Sequence, residues 1–174
     1  MTRIGLLSDT HGLLDPRVLE HFKDVDEIWH AGDIGSEEVL RRLREFKPTR
    51  AVYGNMDSGD VRYSLSEFYH FRVEVLMTHI GGYPGKYNPW LLPMFQKSLD
   101  ALNHPDYPQS ARIDLFVCGH SHILKVQYDS HYRFLTMNSG AAGKQGWQTV
   151  QTLLRFVIDG SQIRDLEVIE LERL

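Results

Sequence analysis

Asp9 and His11 stand two residues apart just past the apolar run Ile4–Leu7, and on an extended backbone their side chains would project together, so that one ion could take both. The same device recurs down the chain. Asp33 closes Glu27–Gly32, Asn55 and Asp57 follow Arg50–Tyr53, His79 follows Val73–Thr78, and His120 and His122 follow Ile113–Gly119. Carboxylate, amide and imidazole groups are hard or borderline ligands, and a mixed oxygen and nitrogen set suits Mn²⁺, Fe or Zn²⁺ better than Mg²⁺ or Ca²⁺. Asp9, His11, Asp33, Asn55, His79, His120 and His122 are too many for one tetrahedral ion. They suit two ions sharing a carboxylate, and a pair roughly 3.5–4 Å apart is an arrangement that attacks phosphate esters. Taken singly, each residue has a plainer reading: Asp9 or Asp33 caps the next helix, Asn55 is a turn residue, and His79 is a satisfied core histidine. Recurrence at five strand ends favours metal.

To act together, these groups must be delivered to one edge by buried strands, because ligands of open α/β sheets bind beyond the strands' carboxyl ends. The first third of the chain reads as three strand-turn-helix units. Asp15-Pro16 opens a helix bearing Val18, Leu19 and Phe22, and Ser36 opens another bearing Val39, Leu40, Leu43 and Phe46 before Lys47-Pro48 stops it. Phe68–Phe71 and Val73–Met77 then read as consecutive strands. Residues 80–93 form a glycine- and proline-rich loop with Tyr83, Lys86, Tyr87 and Trp90, a candidate lid or a solvated excursion. A helix with Phe95, Leu99 and Leu102 on one side follows, then the strand Ile113–Cys118. The remainder is strand: Ile123–Tyr128, Tyr132–Met137, Thr149–Ile158 and Ile163–Leu171, the last two joined by a turn at Asp159-Gly160. Parallel units early and antiparallel strands late predict an α/β fold of two packed mixed sheets with helices outside.

The 174 residues, 42% hydrophobic and without low-complexity segments, suit one domain spanning 1–174. Acidic residues outnumber basic ones 23 to 19 and the basic residues are scattered, which disfavours nucleic acid as a partner. Cys118 is the lone cysteine, Met1–Leu7 lacks the pattern of a secretion signal, and no apolar run approaches the roughly 20 residues of a membrane span. A cytoplasmic protein without membrane partners is expected, and a homo-oligomer is compatible with this composition.

The ordered blocks SDTHG, GD after a strand, GNMD, TH and GHSH resemble the calcineurin-like metallophosphoesterase superfamily, in particular its short single-domain phosphodiesterase branch, from Ile4 to about Gly143. The resemblance implies a four-layer α/β/β/α sandwich holding two divalent transition-metal ions, manganese first, with iron, zinc or nickel as alternatives. It gives one ion Asp9, His11, Asp33 and His122, and the other Asp33, Asn55, His79 and His120, with Asp33 bridging. It implies hydrolysis of a small phosphate ester by a hydroxide bridging the two ions, with Asn55 donating a hydrogen bond to phosphoryl oxygen. Larger relatives carry a leaving-group histidine where this chain has Met56, so Asp57, His11 or solvent must supply that proton, and good leaving groups are expected. Two further departures, Ile80 for glycine and Asn138-Ser139-Gly140 for Asn-Pro-Gly, bear on substrate fit. Relatives resembling the retromer subunit use the same sandwich to bind protein, a competing reading, and a nuclease is a third. Outside the blocks, His21, His70, His104 and His131 read as solvated, and His30 as either packed or supporting a ligand.

Overall fold

The computed structural model describes residues 1–71 and 74–173. Strand β1 (Thr2–Leu7) leads to helix α1 (Pro16–His21), β2 (Glu27–His30), α2 (Glu37–Phe46), β3 (Thr49–Ala51) and a short α3 (Gly59–Tyr63). Then come β4 (Phe68–Phe71), β5 (Val75–Thr78), a hairpin of β6 (Gly82–Tyr83) and β7 (Lys86–Tyr87), and α4 (Leu92–Asn103). The chain finishes with β8 (Leu115–Cys118), β9 (Leu124–Asp129), β10 (Phe134–Ser139), β11 (Val150–Asp159) and β12 (Gln162–Glu172). Val73, expected at the start of β5, and the side chain of His70 lie outside what is described.

The two large sheets have related plans. One runs β12-β11-β1-β2-β3, the other β4-β5-β8-β10-β9. In each, three neighbouring strands are parallel (β1, β2 and β3; β5, β8 and β10), and the remaining strands pair antiparallel with them or with each other. Parallel strands covered on both faces must be apolar on both, with period two deciding which side chain goes where. Ile4, Leu6 and Trp29 turn inward to meet Val75, Met77, Leu115 and Val117 of the facing sheet. Leu7 and Ile28 turn outward beneath α1 and α2, with Val18, Phe22, Val39, Leu40 and Leu43. On the far side, Leu76, Phe116 and Phe134 lie beneath Phe95 of α4. This is the expected α/β/β/α sandwich.

Local signals place the first helices as read. The Asp15 carboxylate accepts the Arg17 amide at 2.9 Å with Pro16 in the first turn, and Ser36 Oγ accepts the Val39 amide at 3.3 Å. Helix α4 is turned differently from the expectation. Its buried face is Phe95, Ser98 and Ala101, with Leu99 and Leu102 only half-buried, because Ser98 Oγ accepts the Ile113 amide at 2.8 Å and so belongs inside. Part of the long loop 80–93 is the β6–β7 hairpin. It is rooted by Tyr87, whose ring lies against Phe95, Phe116 and Phe134 and whose hydroxyl donates to Asp129 Oδ2 at 2.8 Å.

A candidate metal centre between the sheet edges

The parallel strands of both sheets deliver their carboxyl-terminal loops to one edge. The side chains there converge by sharp turns, and the extended backbone expected for Asp9-Thr10-His11 is not what brings its ends together. Eight non-glycine residues among those described have left-handed backbone, and five are Asp9 (φ 55°), His11 (48°), Asp33 (52°), His120 (69°) and His122 (58°). Each such residue costs roughly 1–2 kcal/mol in an L-amino acid, and strain of this kind collects at functional sites.

Two trios result, Asp9 with His11 and His122, and Asp33 with His79 and His120, each with one donor atom per residue lying within 4.8 Å of the others. Asp9 Oδ1 is 3.2 Å from His122 Nε2, 3.8 Å from His79 Nε2 and 3.9 Å from His11 Nε2. Asp33 Oδ2 is 3.1 Å from His79 Nε2 and 3.9 Å from His11 Nε2, so both carboxylates reach histidines of both trios. Neighbouring ligands of one ion, each about 2.1 Å from it, stand roughly 3.0–3.5 Å apart, the range of the shortest of these separations. Asp9 Oδ1 and His79 Nε2 are buried without a hydrogen-bond partner, a state that buried polar atoms rarely tolerate unless something else satisfies them. His79 Nδ1 donates to Ala31 O at 2.7 Å and His122 Nδ1 approaches Gln145 O at 3.2 Å, which turns both Nε2 atoms toward the carboxylates. The donor set and its unsatisfied atoms fit divalent transition-metal ions.

The electrostatics point the same way. Burial opposes protonation of His79, but Asp33 and Asp9 outweigh it and raise its pKa. His122 is raised chiefly by its contact with Asp9. Burial opposes the charge of Asp33, yet His79 and the Met56 amide hold its pKa below the ordinary carboxylate value. His120 is lowered, by burial and then by His79. The two acids thus draw positive charge into the cluster.

Asn55 is exposed and lines a cleft beside His79. Asp57 has a different place from the one expected of a proton donor. It is 4% exposed, and its carboxylate accepts the amides of Gly54 (2.8 Å), Ile34 (3.1 Å) and Gly35 (2.7 Å), tying the loops after β2 and β3 together. Met56, 62% exposed, carries no proton to give, although its backbone amide donates to Asp33 Oδ1 at 2.8 Å.

Three features support the cluster: His30, which the sequence left open between a packed and a supporting role, takes both, while the roles of Asn138 and of the glycines before the candidate ligands were not read from the sequence. His30 is fully buried: its Nδ1 accepts the Gly32 amide at 3.2 Å, leaving Nε2–H to donate to Thr10 Oγ1 at 2.9 Å, and that hydroxyl donates onward to Ile34 O at 2.9 Å. Asn138 Nδ2 donates to Gly119 O at 2.8 Å and Ser121 Oγ at 3.1 Å, bracing the loop that carries His120 and His122. Glycine precedes Asp33, Asn55 and His120 for want of room: a Cβ on Gly54 would lie 2.0 Å from Asp33 Oδ1, and one on Gly119 would lie 2.0 Å from Ser8 Oγ and 2.9 Å from Asp9 Oδ2. The repeated glycine-before-ligand pattern was the available signal.

An α/β/β/α sandwich with a metal-competent cluster at the joined edges of its sheets defines the class of protein. Across residues 2–161 the sequence matches the calcineurin-like phosphoesterase superfamily domain, and the chain belongs to that family. It is 41% identical over 59 residues to a probable metallophosphoesterase of Methanothermobacter thermautotrophicus, a stretch covering 31% of this chain and 34% of that protein. The match therefore spans about a third of the curated relative. Among solved structures, Vps29 of Entamoeba histolytica complexed with Zn²⁺ superposes with a TM-score of 0.67 at 15% identity, covering 98% of both chains. A metallophosphoesterase of Sphaerobacter thermophilus superposes at 0.65 with 19% identity, covering 98% of this chain and 88% of the other. At these identities the likeness is one of fold.

Proposed function

We propose that this chain is a phosphodiesterase of small phosphate esters working with two divalent transition-metal ions, manganese foremost. Asp9, His11 and His122 hold one ion, His79, His120 and Asn55 hold the other, and Asp33 is shared. Bound there, the ions supply a nucleophile from water near neutral pH and neutralise charge on the phosphoryl oxygens. The observation that carries the reading is the pair of buried donor atoms, Asp9 Oδ1 and His79 Nε2, left without a hydrogen-bond partner inside a cluster of two acids and four imidazoles.

The chain's own groups then have separate tasks. Asn55, facing the cleft, donates its amide hydrogen to a phosphoryl oxygen. His11, with Nε2 turned into the cluster 3.2 Å from His122 Nε2, serves as a ligand. Asp57, saturated by amides, positions loops. Met56 has no proton to give and Asp57 is engaged by amides, so protonation of the departing oxygen is left to solvent and good leaving groups are favoured. Two clefts, of about 600 and 280 Å³, share Ile80 and Asn88 and flank the cluster at His120 and His79, which gives a diester room for both arms. Six converging donors, five of them on left-handed backbone, favour the enzyme over a retromer-like scaffold.

Metal analysis of the purified protein, with bis-aryl and mono-aryl phosphate assays, tests this. We expect about two ions per chain, faster diester turnover, and rates that rise steeply with leaving-group acidity. Asp33→Ala is expected to abolish turnover and to weaken both ion sites together. Full turnover in that variant, or rates indifferent to the leaving group, would refute the mechanism.

A further inference from the structure

We propose that the larger cleft, between the β6–β7 hairpin and β9, is a subsite for a planar ester arm that carries its own negative charge. The cleft begins at His120 and Gly119, so whatever fills it is continuous with a phosphate at the metal centre. Its volume of about 600 Å³ far exceeds the need of a phosphate group and lies within the usual range for pockets that enclose an organic ligand. Its walls are apolar at Ile80, Tyr83 and Ile123, and the Tyr83 ring stands 39% exposed beside it. Lys86 from the hairpin and Lys125 from β9 both line it, and no carboxylate does, although the whole chain carries a net charge of −4. Lys125 Nζ sits 4.3 Å from the centroid of the Tyr83 ring, so the cation is already held at the wall. Neither lysine takes part in an ion pair among the described residues. A flat apolar group against Tyr83 and Ile123, with an anion meeting Lys125 and Lys86, satisfies both halves of this lining.

The subsite deepens the phosphodiesterase reading and rests on it, so its test has two arms. In the first, the Mn²⁺-loaded protein hydrolyses phenyl 4-nitrophenyl phosphate and 4-carboxyphenyl 4-nitrophenyl phosphate, which differ only in the carboxylate group on the retained arm. The carboxylated ester is expected to have a KM about tenfold lower, the size of one good charged contact, and the ratio is expected to fall to near one in Lys86→Met/Lys125→Met. Equal KM values in the native protein, or an advantage that survives the double substitution, would overturn the subsite.

In the second arm, naphthalene-2-sulfonate is titrated calorimetrically into the protein with and without chelator. Saturable binding of one molecule is expected in both, stronger than that of 2-naphthol and lost in the double variant. Absence of binding would overturn the subsite even if both esters are hydrolysed. Binding without hydrolysis of either ester would keep the subsite and remove the phosphodiesterase.

Discussion

His30, sealed among its partners, makes a residue-scale prediction about acid. Burial holds its pKa down to about 4 against an ordinary value of 6.5. Between those values the unfolded chain takes up a proton that the native imidazole refuses, so stability intact near neutrality falls as pH drops below about 6.5 and the loss is complete below about 4. At 1.36 kcal/mol per unit the loss is on the order of 3 kcal/mol. Urea unfolding at two pH values on either side of this window is expected to show the acid increment in the native protein and its disappearance in His30→Gln, which starts from lower stability. Asp57 makes the second. Asp57→Asn replaces one acceptor oxygen with a donor facing backbone amides, at a cost of about 2 kcal/mol, lowering Tm by roughly 4–8 °C. The pH profile of kcat is expected to keep its shape; loss of its alkaline limb would restore Asp57 as a proton donor.

At the scale of elements, the strand-end loops succeed by close approach. Gly54→Ala pushes a Cβ into the Asp33 carboxylate and to 2.3 Å from its backbone nitrogen. We expect metal titration to show affinity falling more than tenfold while far-UV circular dichroism stays native; unchanged affinity would mean that the loop yields without cost. The candidate ligands themselves were legible in the sequence because each interrupts an apolar run at the point where a strand must end. The helices α1 and α2 were legible because Asp15-Pro16 and Ser36 are local signals, answered by backbone groups two or three residues away. What escaped depends on partners distant in sequence. Ser98 belongs to the buried face of α4 through an amide fifteen residues on, Asp57 belongs to amides on another loop, and the choice between the packed and supporting readings of His30 rests with Thr10, twenty residues away. The β6–β7 hairpin escaped for a related reason: two residues per strand leave no alternation to read, and Tyr87 roots it through Asp129 and Thr136, more than forty residues away.

For the molecule as a whole, native stability depends on what fills the cluster. Five left-handed residues weigh against the folded chain, and cations held by the cluster would offset that cost. Ions at about a hundred times their Kd stabilise a single-site protein by about 2.7 kcal/mol, so adding Mn²⁺ to the chelated protein is expected to raise Tm by roughly 5–10 °C. Scanning calorimetry checks this, and an unchanged Tm would show that no ion binds the native state in preference to the unfolded one. Each trio draws on both sheets: Asp9 and His11 leave β1 while His122 leaves β8, and Asp33 leaves β2 while His79 and His120 leave β5 and β8. The cations would therefore act as a clasp between two boards of a book, added to the apolar packing of the spine and to the hydrogen bonds from His79 to Ala31 O and from the His120 amide to Asp9 Oδ2. Removing them would loosen the covers at that edge, where, on the proposed function, a phosphodiester lying across both trios would help to shut them.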